Sequence, residues 1–315
     1  MKFAVISDIH GNLPALDAVI EDAEKQNVDA YIFAGDYCIS NPYPDECITR
    51  IRNLGRKYVI RGNEERYLES FTGKDRSTWA DGQMQISYWC FRSIKADNLE
   101  YLAALPARLR LKCGHAALHA AHSSEEFIGD CEHREWAVAK VAARYKDGFI
   151  TRERFRTDIH AYFENDRRFQ DALSCLEDGI YIFGHSHIQW TYRSGNGKKL
   201  LINPGSCGLP LDCIKDGIPY TILDVSGKEG IAVDERRVDF QKEEYIVSLM
   251  QSRQYEEVNI WSRIIIEELR TSREHLFFFL EFAEKYAMEI GDARRPFAAS
   301  TWKAAFELWQ RELKM

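Results

Sequence analysis

The chain lacks any long apolar run. Met1 to Asp8 is a short one that ends on a carboxylate, too brief for a signal peptide or a membrane span. A cytoplasmic location with no membrane partner is therefore expected. Basic excess is also missing: 42 Lys and Arg stand against 49 Asp and Glu, a formal charge of −7. Sequence-independent attraction to nucleic acid or anionic lipid needs a basic field, so no stable nucleic-acid complex is expected. Nucleotides remain compatible if bound metal ions supply the positive charge. No Cys-x-x-Cys occurs among Cys38, Cys47, Cys90, Cys113, Cys131, Cys175, Cys207 and Cys213, which removes the usual zinc and redox pairs. Most of these thiols are expected to be small buried apolar residues in a reducing compartment. No Gly-x-Gly-x-x-Gly follows the first strand, excluding a dinucleotide-binding fold, and no serine nucleophile elbow is visible. There is no internal repeat and no low-complexity tract.

What is present is a series of buried-type strands, each ending on polar residues. Phe3 to Ser7 precedes Asp8-Ile9-His10-Gly11-Asn12, Ala30 to Ala34 precedes Gly35-Asp36, and Lys57 to Ile60 precedes Arg61-Gly62-Asn63-Glu64. Continuous apolar strands alternating with helical periodicity indicate an α/β fold with a covered sheet, whose functional end is where the strands stop. Arg108 to Lys112 and Ala116 to Ala121 read as a hairpin around Cys113-Gly114-His115. Residues 125–177 read as a charged helical insertion, and Ile180 to Phe183 as a strand ending in Gly184-His185-Ser186-His187. Four more strands are expected at 189–193, 198–202, 220–225 and 231–238. The resulting division is a core over residues 1–240 and a C-terminal helical extension over 241–315. Apolar positions around Ile260, Ile264, Leu269, Phe278, Phe282, Trp302, Phe306 and Trp309 suggest three or four helices there. These helices either pack on the core or form a surface for a homo-oligomer. The Phe277-Phe278-Phe279-Leu280 run is expected to be buried rather than to anchor lipid.

Asp-x-His at a strand end can direct a carboxylate and an imidazole to one ion, because alternate side chains of extended backbone leave on one side. Asp8 and His10 have that spacing. Alone the pattern is weak, since an Asp after a strand is often a helix N-cap. Gly35-Asp36 and Gly62-Asn63 are ordinary turn formers when taken singly. His185 and His187 flank one small residue and carry a stronger signal. Together these strand ends offer the mixed nitrogen and oxygen set that borderline divalent metals accept.

This arrangement of Asp-x-His, Gly-Asp, Gly-Asn-x-Glu, a further histidine and Gly-His-x-His resembles the calcineurin-like metallophosphoesterase superfamily, over residues 1 to about 240. The Ser7-Asp8-Ile9-His10-Gly11-Asn12 opening and Asn203-Pro204-Gly205-Ser206 resemble its small bacterial and archaeal phosphodiesterase-like branch. The resemblance implies an αββα sandwich of two mixed sheets flanked by helices. It implies two divalent metal ions (manganese, iron, zinc or nickel) and a metal-bridging hydroxide as nucleophile. Asp8, His10 and His187 would hold one ion; Asn63, His185 and a further histidine the other; Asp36 would bridge. His119 and His122 both qualify as the further histidine, and only His122 stands at a polar strand end, although Ser123 replaces the family's usual glycine. His115, His133, His160 and His275 are expected to be solvated or structural.

Two dications lower the pKa of a bridging water and neutralise charge on an in-line phosphoryl transition state. Arg61 is a candidate clamp for phosphate oxygens, against the plainer reading of a surface arginine. Where many members have a leaving-group histidine, this chain has Glu64, a poor proton donor beside cations. Its charge is expected to favour diesters, or esters with good leaving groups, over dianionic monoesters, and the expected substrate is a small phosphoester or a nucleotide. Two rivals remain: a catalytically weak protein-interaction scaffold of the same fold, as in the retromer subunit, and a serine/threonine protein phosphatase, suggested by Arg61-Gly62-Asn63.

Overall fold

The computed structural model describes residues 1–75, 79–113, 116–129, 148–215, 217–226 and 230–313. Two five-stranded sheets face each other. The first contains β1 (Lys2–Ile6), β2 (Ala30–Phe33), β3 (Lys57–Val59), β9 (Ile218–Asp224) and β10 (Ala232–Val238), in the order β10-β9-β1-β2-β3. The second contains β4 (Arg108–Cys113), β5 (Ala116–Ala121), β6 (Gly179–Ile182), β7 (Gln189–Arg193) and β8 (Lys199–Pro204), in the order β4-β5-β6-β8-β7. β1, β2 and β3 run parallel in one sheet, and β5, β6 and β8 in the other. Both sheets are therefore mixed.

The two inner faces supply the central layer. Phe3, Val5, Ile32 and Leu223 from the first sheet pack with Leu118, Ile180, Ile182 and Ile202 from the second. Alternate residues on each strand face outward and need a second cover, which helices provide. Over the first sheet lie α1 (Leu13–Lys25), α2 (Pro44–Asn53), α3 (Asn63–Glu69), α4 (Gln85–Ser93) and α5 (Ala96–Ala103), whose apolar positions join the cluster containing Ala4, Ile6 and Phe33. Helices α4 and α5 fall in a stretch that sequence periodicity left unassigned.

After the short α6 (Glu125–Ile128) come α7 (Arg152–Asn165) and α8 (Arg167–Cys175). Phe155, Phe163 and Phe169 from these helices pack on Tyr181, Phe183 and Trp190, so the described part of the insertion covers the outer face of the second sheet. His133 and Cys131 lie outside the described residues, as does His115 of the hairpin turn.

Among the described residues beyond β10 there are five helices rather than three or four: α9 (Lys242–Met250), α10 (Arg253–Glu257), α11 (Asn259–Thr271), α12 (Leu276–Glu289) and α13 (Ala299–Leu313). The extra ones are short: α10 has five residues, and α9 has nine, of which Tyr245, Ile246 and Leu249 are buried, too few to set up a clear helical repeat. Tyr245, Ile246, Leu249, Ile265 and Leu269 merge with the helical layer on the first sheet. Phe279, Trp302, Phe306 and Trp309 instead pack on one another and on Ile264, so the aromatic faces of α12 and α13 are satisfied within the chain. No helix among the described residues is long and apolar enough to cross a membrane.

Candidate metal centre

Every chemically interesting side chain stands just past the carboxyl end of a parallel strand. Asp8 and His10 follow β1, Asp36 follows β2, Asn63 follows β3, His122 follows β5, and His185 and His187 follow β6. The loops are stitched together: Asp8 N donates to Gly35 O at 3.0 Å, Gly184 N to His122 O at 2.8 Å, and Cys207 N to Ser7 O at 2.9 Å. Across the two sheets, His185 N donates to Asp8 Oδ2 at 3.0 Å. The Asn203-Pro204-Gly205-Ser206 segment continues the lacing, with Ser206 Oγ donating to Asp8 O at 2.7 Å and Asn203 Nδ2 to Gly184 O at 3.1 Å.

The backbone reaches this geometry differently from the extended pattern expected for Asp-x-His. Asp8, His10, Asp36, His185 and His187 have φ of 53°, 52°, 57°, 72° and 61°, left-handed values that L-residues rarely adopt. Such conformations persist only where the surroundings over-determine them, and they cluster at functional sites. Asp8 is not the N-cap of α1; Asn12 is, its Oδ1 accepting from Ala15 N at 3.2 Å. Two glycines are dictated by crowding. A Cβ on Gly62 would lie 2.0 Å from Asp36 Oδ1, and one on Gly184 would lie 2.4 Å from Asp8 Oδ2. Gly-Asn and Gly-His are thus points where neighbouring loops touch, beyond their value as turn formers.

The result is two groups of potential ligand atoms, each drawn within 4.8 Å: Asp8, His10 and His187, and Asp36, His122 and His185. A third such group joins His10, Asp36 and Glu64, so Asp36 stands close to both sets. His185 and His187 stand in different groups. Asn63 Oδ1 lies 3.1 Å from His122 Nε2, which places the amide with the second group.

The rings are held from behind. His122 Nδ1 faces Ala34 O at 2.7 Å, His187 Nδ1 faces Leu209 O at 2.9 Å, and His10 Nδ1 faces both Ile39 O and Glu64 Oε1 at 2.9 Å. A carbonyl only accepts, so each Nδ1 carries a hydrogen and each neutral ring turns an Nε2 lone pair into the site. Those lone pairs then confront other acceptors: His10 Nε2 and His187 Nε2 are 2.9 Å apart, and His122 Nε2 is 3.1 Å from Asp36 Oδ2. Acceptors crowded on acceptors require positive charge among them. This donor set, with its outer partners, fits divalent metal. The same demand appears as proton affinity. Burial would lower the His10 pKa, but Glu64, Asp36 and Asp8 hold it up at about 10; burial likewise opposes, and Asp36 and Asp8 overcome, a value of about 10 at His122. Asp36 is pulled below the usual carboxylate range against its burial, chiefly by His122.

Glu64 departs from its expected place. Rather than presenting its charge to a phosphate, it is buried, with Oε1 on His10 Nδ1 and Oε2 accepting from Ile39 N at 2.8 Å and Cys38 N at 3.3 Å. The cause is α3, whose first turn points this residue inward. Arg61 lies at the rim with its Nη1 on Glu69 at 3.0 Å, while its Nε is buried without a partner. His119 faces away, stacked on Tyr181 with centroids 5.0 Å apart. His160 leans on Tyr192, and His275 bonds Thr271 Oγ1 at 2.9 Å.

Sequence reasoning passed over Glu65. Its Oε2 accepts from Gly62 N at 2.7 Å and Asp36 N at 3.1 Å, and its Oε1 from Tyr37 N at 2.9 Å. One carboxylate therefore clamps the Asp36 and Asn63 loops together. Burial, then Asp36 and Glu64, push its pKa up to about 7. A Glu at the third position of α3, the capping-box position, was the available signal. The carbonyls of Ala34, Ile39 and Leu209 had none.

Fold and rim together define a two-sheet α/β protein whose strand-end loops gather side chains that could hold metal. A sequence model described as Calcineurin-like phosphoesterase matches residues 1–189, and the chain belongs to that family of metal-dependent phosphoesterases. An uncharacterized protein of Methanocaldococcus jannaschii is 27% identical over 235 residues, 70% of this chain and 82% of its own length. Among solved structures, a metallophosphoesterase from Sphaerobacter thermophilus has a TM-score of 0.57 at 22% identity, covering 86% of this chain and 100% of its own. A hypothetical protein from Pyrococcus horikoshii has a TM-score of 0.59 at 17% identity, covering 87% and 99%. Both likenesses are to the fold: two mixed sheets flanked by helices, followed by C-terminal helices.

Proposed function

We propose that this chain is a dinuclear phosphoester hydrolase that prefers phosphodiesters to phosphomonoesters and acts in the cytoplasm on a small phosphoester or nucleotide. The observation that carries the reading is the pair of ligand groups meeting at Asp36, with three imidazoles locked by Nδ1 hydrogen bonds so that Nε2 faces inward. Asp8, His10 and His187 would hold one ion; Asn63, His122 and His185 would hold the other; Asp36 would reach both. Two divalent ions, of manganese, iron, zinc or nickel, supply Lewis acidity and lower the pKa of bound water.

The protein's own contribution is pre-organisation. Asp36 is fixed by Glu64 N, which donates to Oδ1 at 2.9 Å from the start of α3. Glu65 keeps the Asp36 and Asn63 loops at constant separation. Burial raises the Glu64 pKa against the opposing pull of His10; as a carboxylate behind His10 it would make that ring a stronger ligand and add negative charge to the centre. A centre with that extra charge attracts a dianionic monoester less than one without it, which supports the diester preference from a position behind the metal rather than beside the phosphate. Arg61 is the candidate to meet the non-bridging phosphate oxygens.

Elemental analysis of purified protein, joined to a phosphoester panel, tests the reading. About two equivalents of transition metal and faster turnover of a chromogenic phosphodiester than of the corresponding monoester are expected. Metal bound with zero hydrolysis on added manganese would instead favour the interaction scaffold. Selective turnover of phosphopeptides would favour a protein phosphatase.

A further inference from the structure

Three polar side chains of the C-terminal helices converge on the loop that follows Asp36. Tyr245 of α9, which is 4% exposed, donates its hydroxyl to Asn41 Oδ1 at 2.9 Å. Gln254 of α10 is wholly buried and donates Nε2 to Ser40 O at 2.7 Å. Trp261 Nε1 of α11 lies 3.4 Å from Ser40 Oγ. Asn41 passes the contact on, since its Nδ2 and its backbone N–H both donate to His10 O, at 3.0 and 2.9 Å. Two residues earlier in the same loop, Ile39 O takes the His10 ring at Nδ1. A single loop therefore grips both the main chain and the imidazole of His10.

Packing alone does not account for these choices. Apolar residues of similar size would fill the same volume without the cost of desolvating polar groups. Gln254 even keeps a buried Oε1 with no partner, a cost that leaves its Nε2 contact as the feature that distinguishes it from an apolar residue. Ser40 has φ of 119°, strained for any residue but glycine, and such a conformation needs external restraint. Slack is absent on the opposite side as well. A Cβ on Gly11 would lie 2.6 Å from Asn41 O.

We propose that Tyr245 and Gln254 are positioning residues for the first metal group: the C-terminal helices hold Ser40 and Asn41 in a strained form, and that loop sets the height and rotation of His10. The inference rests on the reading of His10 as a metal ligand. It makes the extension, which lies outside the family match at residues 1–189, part of the working centre.

The test compares Tyr245→Phe and Gln254→Met with Tyr220→Phe in the full chain. All three keep side-chain bulk, and Tyr220→Phe likewise deletes a buried hydroxyl, one bonded to Asp22 of α1 at 2.5 Å. The readouts are hydrogen exchange at the Asn41 amide and manganese binding followed by the EPR signal of free ion. Tyr245→Phe and Gln254→Met should each speed Asn41 exchange and weaken one manganese-binding step by about fivefold. Tyr220→Phe should leave both at the wild-type level. Equal changes in all three variants, or faster exchange with unaltered manganese affinity, would overturn the proposal. Wild-type protein that binds neither manganese nor iron, zinc or nickel would sink the metal reading, while Asn41 exchange would still decide whether the helices hold the loop.

Discussion

His10 Nδ1 lies 2.9 Å from Glu64 Oε1, and the same ring turns its Nε2 to within 2.9 Å of His187 Nε2. The two ring nitrogens thus divide the labour, one facing a carboxylate inside the fold and one facing the site. What Glu64 does is legible only from that pairing, because in sequence it merely occupies the place of another family residue.

Replacing Glu64 with alanine removes the charge and the hydrogen bond behind His10. Metal affinity should fall about tenfold or more, the usual cost of losing such an outer partner. The ratio of diesterase to monoesterase turnover should fall with it. Calorimetric titration with manganese and parallel assays read both; a ratio that stays level or climbs would remove Glu64 from substrate selection.

Gly62→Ala places a methyl group 2.0 Å from Asp36 Oδ1. The Asp36 loop must move, at a cost of about 1–3 kcal/mol in stability and with loss of most activity. Gly55→Ala meets nothing within 4 Å and should be neutral on both counts. Thermal unfolding and turnover of the two variants, side by side, check the contrast.

Arg61 is held by Glu69, whose side chain is half exposed. An exposed pair of this kind is worth about 1 kcal/mol or less, so a phosphate can displace the carboxylate. Arg61→Ala should raise KM with kcat little changed, and Glu69→Gln should lower KM. An Arg61→Ala enzyme with wild-type KM would return this residue to a surface role.

A pH-dependent penalty is built into the junction of α11 and α12. Glu268 is 1% exposed, and its Oε1 accepts from His275 N and Leu276 N at 2.8 Å. Burial first, then the neighbouring Glu274, raise its pKa well above the ordinary 4.5. An acid that holds its proton more tightly when folded loses stability as pH climbs above the unfolded value, by up to about 1.4 kcal/mol per pH unit until the folded value is reached. Glu268→Gln keeps the acceptor and cannot ionise. Its stability relative to wild type should be near zero at about pH 4 and should grow toward neutrality. Urea unfolding across that range gives the slope, and a difference that is flat with pH would exclude Glu268 as its source.

Replacing Asp36 with asparagine leaves an amide where both ligand groups meet. Bound metal should drop from about two equivalents toward one or none, with activity reduced at least about a hundredfold. Elemental analysis decides it; two retained equivalents would mean that Asp36 does not join the sites.

Much of this protein was determined by its sequence alone. Apolar strands closing on Asp8, Asp36, Asn63, His122 and the His185–His187 pair announce an α/β sheet with a polar rim, because strand burial and turn chemistry are local properties written in a few adjacent residues. Only the tertiary structure decided how that rim works. It turned Asp8 and His10 through left-handed backbone. It also swung Glu64 behind His10, enlisted Glu65 as a clamp between loops, and brought Tyr245 and Gln254 from over two hundred residues away to Asn41 and Ser40. Those outcomes depend on carbonyl positions and loop-to-loop distances. Such distances arise when separate sheets and helices pack against one another, and no short stretch of sequence contains them.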